Sequence, residues 1–307
     1  MSVASRPTQP PAGGPAVVAV GGGHGLAVTL RAVRRYAGRL TAIVAVADDG
    51  GSSGKLRDSM AIPAPGDLRR CLSALAPPGS LLGGALGHRF HGGDLDGHAL
   101  GNLLLAGLAD AGGDFVAAVD ELSRLVGLGS ADVAPQAWPA RLLPAATEAV
   151  VLGAETVDGA VCGQVAVKGA AGIRRLTFDP PTPCVTAEAV AAIAAAEQIV
   201  LGPGSLFTSV LAAAAVPGVR DALAATDAPA VYVCNLGPER RETEGFTVAD
   251  HVAALHRHGV VVDRVLCQPG AMAPGVLEVA VVERPVARAD GRGHDPVLLS
   301  LALTDLV

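Results

Sequence analysis

Ala16-Val17-Val18-Ala19-Val20-Gly21-Gly22-Gly23-His24-Gly25, followed by Thr41-Ala42-Ile43-Val44-Ala45-Val46, decides the fold. The first five residues form a continuous apolar run that ends in glycines, the pattern of a strand buried on both faces in a parallel sheet. A helix over 26–36 should follow, with basic residues in its last turns and Gly38 near its C-cap. Residues 41–46 read as a second strand. Strand, glycine loop, helix and strand within the first 46 residues make a βαβ unit.

Working outward, helices are expected at 67–75, 100–110, 114–125, 186–196, 206–214, 248–256 and 297–306, and strands at 198–201, 231–234 and 265–266. Residues 47–66 read as loop. Over 149–176 the character changes: 150–157 and 160–167 are short β-like runs around Asp158-Gly159, a hairpin signal that marks an antiparallel excursion. Alternating β and α elements define an α/β fold, a doubly wound, mostly parallel Rossmann-like sheet with a β-hairpin excursion. Residues 1–15, polar and rich in proline, are expected to be a disordered tail ahead of one domain over 16–307.

Composition narrows the function. The chain has 307 residues, half of them hydrophobic and 17% charged, so a sizeable core can be buried; with only 3% aromatics it must be built from Ala, Val and Leu. There are 39 glycines and 22 prolines without a Gly-X-Y period, which indicates tight turns and excludes collagen. No apolar run reaches the ~18 residues of a membrane span, and the start lacks the apolar segment of a secretory signal. The net charge of −6, without a basic run longer than two residues, argues against nucleic acid as a partner. Five scattered cysteines without a C-x-x-C pair suit buried thiols in a reducing cytoplasm.

The candidate site lies where the expected strands end. Gly21, Gly22, Gly23, His24 and Gly25 sit between a strand and a helix, where free N–H groups and a positive helix end suit a phosphate; a plain tight turn is the alternative. Leu26 breaks the G-x-G-x-x-G dinucleotide pattern. The next loop, Asp48-Asp49-Gly50-Gly51-Ser52-Ser53-Gly54-Lys55-Leu56-Arg57, follows the second strand directly and is not a Walker A loop. Asp48 or Asp49 could coordinate Mg²⁺ or hold a ribose hydroxyl, Ser52 and Ser53 bring hydroxyls, and Lys55 brings positive charge. In Pro65-Gly66-Asp67-Leu68-Arg69-Arg70, Asp67 is either a helix N-cap or a ligand residue, and Arg69 or Arg70 could reach an anion. His98 and Asn102, four apart, share one helical face, with a structural role for His98 as the alternative. His88-x-x-His91 has nothing nearby to complete a metal set. Gly202-Pro203-Gly204-Ser205 repeats the glycine-loop logic after another strand, with Ser205 as a helix cap or a ligand residue. Asn235, at the end of the 231–234 strand, could bind a base or sugar or form a turn. Two loops converging on one sheet edge suit a diphosphate or an extended nucleotide.

These motifs, together with Gly97-His98-Ala99-Leu100-Gly101-Asn102, Leu201-Gly202-Pro203-Gly204-Ser205-Leu206-Phe207-Thr208-Ser209 and Thr247-Val248-Ala249-Asp250-His251, resemble the YvcK (gluconeogenesis factor) branch of the CofD-like family, in order over about 16–270. The resemblance implies a cytoplasmic binder of UDP-N-acetylglucosamine that regulates cell shape, cell-wall synthesis and gluconeogenic growth. The family's enzymatic branch implies the alternative, a Mg²⁺-dependent 2-phospho-L-lactate-type transferase with a guanylylated donor and a deazaflavin acceptor. Cell-wall regulatory proteins and a second copy of the chain are the partners it leaves room for. This sequence departs from the family at His24, where Thr is usual, at Phe207 and Phe246 in place of tyrosines, and over 236–242, where Met-Thr-Gln and then Gly-Glu-Thr-Asp are usual.

Overall fold

The computed structural model describes residues 13–128 and 139–307, so the expected tail falls outside the described residues except for its last three positions. β1 (Ala16–Gly21) is followed by α1 (Gly23–Val33) and β2 (Arg39–Val44). Then come α2 (Gly51–Met60), α3 (Gly66–Leu75), α4 (Leu81–Ala85), α5 (Leu100–Gly112), α6 (Phe115–Leu125) and β3 (Ala140–Pro144). β4 (Val151–Thr156), β5 (Gly159–Cys162), α7 (Gln164–Lys168) and β6 (Ile173–Asp179) form the excursion. The chain returns through α8 (Ala187–Ala194), β7 (Gln198–Leu201), a π-helical turn (Leu206–Val210), α9 (Leu211–Ala214), α10 (Pro217–Ala225) and β8 (Ala230–Val233). It ends with α11 (Val248–Arg257), β9 (Arg264–Cys267), β10 (Ala280–Glu283) and α12 (Pro296–Thr304).

Seven strands form one parallel sheet in the order β10-β9-β8-β7-β1-β2-β3. β1 therefore lies between two runs that grow in opposite directions, and the reversal falls between β1 and β7. Its side chains alternate: Val17 and Ala19 enter one core with α1, α3 and α12, while Val18 and Val20 enter the other with the π-turn, α9 and α11. Burial on both faces explains why the run carries no polar residue. Gln198 stitches the layers together, accepting from Tyr36 Oη at 2.6 Å and donating to the Leu303 carbonyl at 3.0 Å.

The structure corrects several sequence expectations. Residues 51–60 are helical, not loop: Ser52, Ser53 and Gly54 are buried against neighbouring elements, and tertiary packing overrides a weak Gly/Ser propensity. Residues 164–168 are helix α7 rather than the end of a hairpin strand, because the chain turns at Gly163 with φ +98°. The excursion gains a third strand and is a sheet of order β5-β4-β6. Asp67 is not an N-cap; Pro65 holds that position and Asp67 lies buried in the first turn of α3. Among the described residues no single helix is long and apolar enough to cross a membrane.

Candidate functional site

The two glycine loops meet at the strand-order reversal. α1 begins on Gly22, extended at φ −159° and without a side-chain cap, so its first-turn N–H groups are left for partners outside the helix. One of them, on Gly23, is taken by the Asp67 carboxylate. Across the crevice, Thr29 Oγ1 donates to the Gly202 carbonyl at 2.6 Å. Gly25 lies so close to the Pro203 carbonyl that a Cβ there would overlap it. A side chain at Gly25 is therefore incompatible with the observed approach of the loops.

Two connected chambers open above this contact. The outer, of about 680 Å³, is lined by Arg31 of α1, Arg69 and Arg70 of α3, Asn235 and Glu239 after β8, and Arg288, Arg292 and His294 before α12. The inner, of about 380 Å³, is lined by Asp48, Asp67, Gln164, Lys168, Ser205 and Ser209 among others. His24, Gly25, Arg70, Gly204 and Glu239 border both. Arginines line the outer chamber from α1, α3 and the C-terminal segment, with Glu239 after β8 as its one carboxyl group, while Asp48 and Asp67 face the inner chamber.

Burial dominates the electrostatics. It pushes the Asp67 carboxyl above the usual range, against the pull of its ion pair with Arg70. Burial and the neighbouring Arg70 lower the Arg69 guanidinium to about 10, and the same two causes hold the His24 imidazole below its ordinary value. His294 is lowered to about 4 by burial, so the neutral ring uses Nε2 as donor to the Cys234 carbonyl at 3.1 Å. Glu242 is raised to about 7, first by burial and then by the adjacent Glu239.

That Glu242 changes the reading of the second loop. Its Oε1 accepts from the Phe207 and Thr208 N–H groups at 2.8 and 2.9 Å, which fills the start of the π-turn. Ser205 Oγ donates to Glu239 at 2.7 Å instead of capping a helix. Asn235 brackets Gly204, accepting from its N–H and donating to its carbonyl, both at 3.0 Å. In the second loop the Gly204 N–H and the Ser205 hydroxyl are thus already bonded, and Glu239 sets a carboxyl group beside them. Removing the Asn235 bracket should loosen Gly204: Asn235→Ala is expected to lower stability by about 1–2 kcal/mol, read by urea denaturation.

The sequence-predicted residues divide into four groups. Gly22, Gly23, His24, Gly25, Asp48, Asp67, Arg69, Pro203, Gly204, Ser205 and Asn235 line the cleft. Gly21 and Gly202 lie beneath it at the strand ends, where Gly202 N–H donates to the Val20 carbonyl at 3.1 Å. Behind it, Ser52, Ser53, His98 and Asn102 form a polar cluster with Arg69, and a Cβ at Gly66 would run into Ser53 Oγ. Asn102 Oδ1 accepts from Arg69 Nε at 3.0 Å, while Nδ2 donates to Ser52 Oγ at 3.1 Å. Ser52 Oγ then donates to His98 Nδ1 at 3.1 Å. Arg69 lines the outer chamber, whereas the four residues of the cluster line neither chamber. The structure does not bring Asp49 or Lys55 there. Asp49 Oδ1 accepts from Val165 N–H at 2.9 Å at the start of α7, and Lys55 is exposed on α2. The acids thus part company: Asp48 faces the inner chamber, with Asp67 rather than Asp49 as its companion. Arg31, Gln164, Lys168, Glu239 and Glu242 escaped sequence reasoning, whereas Arg70, the alternative to Arg69 as the anion-reaching arginine of α3, borders both chambers. Arg31 carried a signal, since it stands seven residues after His24 and so on the same helical face.

A model of the family described as 2-phospho-L-lactate transferase CofD matches residues 17–290. The gluconeogenesis factor of Halalkalibacterium halodurans is 42% identical over 255 residues, covering 81% of this chain and 76% of that protein. The gluconeogenesis factor of Bacillus subtilis is 40% identical over 247 residues, 80% and 75% of the two chains. A crystal structure of a UPF0052 family member from Bacillus halodurans superposes with a TM-score of 0.85 at 35% identity, covering 94% of this chain and 98% of that one.

Proposed function

Because the chain belongs to the CofD family, we propose that it is a YvcK-type regulator whose cleft binds a nucleotide diphosphate sugar, UDP-N-acetylglucosamine, in the cytoplasm. In this reading it links sugar-nucleotide level to cell-wall synthesis, cell shape and gluconeogenic growth. The observation that carries the ligand class is the polarity of the cleft. The first turn of α1 with Arg31 and Arg70 suits a diphosphate, and Glu239 with Asn235, on the opposite wall, suits hydroxyls. UDP-N-acetylglucosamine at ~100 times its Kd should stabilise the fold by about 2.7 kcal/mol, seen as a thermal shift that NAD does not reproduce. Absence of a shift at millimolar ligand in folded protein sinks the binder reading.

Asp48 beside Asp67 in the inner chamber favours a second reading, Mg²⁺-dependent transfer from a guanylylated donor. Mg²⁺ is commonly held by one or two carboxylates and substrate phosphates, and Asp48 fits such a set, whereas Asp49, turned to α7, does not. Metal-dependent turnover of such a donor decides for the transferase.

A further inference from the structure

A second cleft, of about 1010 Å³, lies between the excursion sheet, the start of α10 and the end of α11, and shares no lining residue with the candidate site. Arg174 and Arg175 reach it from β6, Arg220 from α10 and Arg257 from α11. This gathering is unexpected in a chain of net charge −6 with 23 basic residues. Arg220 pairs with Asp221 at 2.7 Å, but among the described residues Arg174, Arg175 and Arg257 have no carboxylate within ion-pair distance. Glu155, the cross-strand neighbour of Arg175, is the one acid on the lining.

The fold holds these like charges together. His258 Nδ1 donates to the Ala254 carbonyl at 2.7 Å, and Nε2 accepts from Leu176 N–H at 2.9 Å. The neutral ring thereby pins β6 to α11 and brings Arg175 to Arg257. A Cβ at Gly259, where φ is +75°, would fall 2.9 Å from Arg220 Cδ, so a side chain there would displace that stem. Pro217 opens the nine-residue helix α10 at the same cleft, directing a positive helix end toward it. Phe178, Pro181 and Pro217 supply an apolar wall.

We propose that this cleft is a second ligand site, for a small organic polyphosphate with adjacent phosphoryl groups and a ring. Guanidiniums from three separate elements match an anion with several charged oxygens, and the apolar wall matches its ring. The concave shape and volume are those of a small-molecule pocket rather than of a flat protein-docking face.

Inorganic tripolyphosphate is the probe, and per-residue modification by phenylglyoxal, read by mass spectrometry on the full chain, is the measurement. Modification of Arg174, Arg175 and Arg257 is expected to slow roughly tenfold at saturating tripolyphosphate. In Arg174→Gln/Arg257→Gln, shown folded by circular dichroism, the protection of Arg175 should be lost. Unchanged reactivity of the three arginines overturns the proposal, as does full protection of Arg175 in the double variant. Protection by polyglutamate but not by tripolyphosphate overturns it too, in favour of an acidic protein partner.

Discussion

Gly25→Ala is expected to force the two glycine loops apart and remove nucleotide-sugar binding while the seven-stranded sheet still forms. The added Cβ would overlap the Pro203 carbonyl and stand 3.0 Å from Gly204 Cα. Both obstacles are backbone, so no rotamer change relieves them. The strain of overpacking is about 1–3 kcal/mol in stability. Binding should fall further, since the Thr29–Gly202 bond and the seat of the first turn shift together; loss of about 3 kcal/mol of contacts is roughly a hundredfold in Kd. Calorimetric titration with UDP-N-acetylglucosamine, alongside circular dichroism, reads both effects. Gly107→Ala, where a Cβ meets nothing within 4 Å on α5, is the control and should leave binding unchanged. Parent-like affinity in Gly25→Ala would show that the loops do not have to interlock.

Glu242 should give the molecule a pH dependence opposite to that of an ordinary ion-paired acid. Its carboxyl is raised from the usual 4.5 to about 7. The folded chain therefore holds a proton that the unfolded chain releases at lower pH. The resulting stability is full below the ordinary carboxylate range and is lost as pH rises through about 7. The loss is on the order of 2–3 kcal/mol by pH 8. Glu242→Gln keeps an acceptor for the Phe207 and Thr208 N–H groups and removes the charge beside Glu239. It should flatten the stability profile between pH 5 and 8 and raise Tm at pH 8 by roughly 5 °C. Urea denaturation of both proteins at four pH values checks this, and an unchanged slope in the variant assigns the dependence to another group.

The central strands were legible because they are buried on both faces, and an apolar run between glycines has few other meanings. Helix α2 was not, since Gly51-Ser52-Ser53-Gly54 resembles a loop until Asn102 and Gly66 are placed against its hydroxyls. β3 and β10, five and four residues long at the sheet edges, lack the strong pattern of the centre. At the site, residues on loops that leave a strand could be found from position alone. Glu242 could not, because what defines it is the pair of N–H groups it meets 34 and 35 residues away in sequence. Asp49 and Lys55 show the converse: a residue type suited to chemistry, in the right loop, turned to a structural bond or to solvent.

β1 pairs with β2 across a short helical connection, but Val20 meets Leu201 only across most of the chain. On the ribosome, the first glycine loop is therefore made long before the wall it faces. A nascent chain that has not reached β7 has half a crevice and nothing to grip, so recognition begins only when β7 docks beside β1. Closing so long a loop is entropically slow. A ligand that seals the two halves would thus act late, by trapping the finished sheet rather than by guiding its assembly.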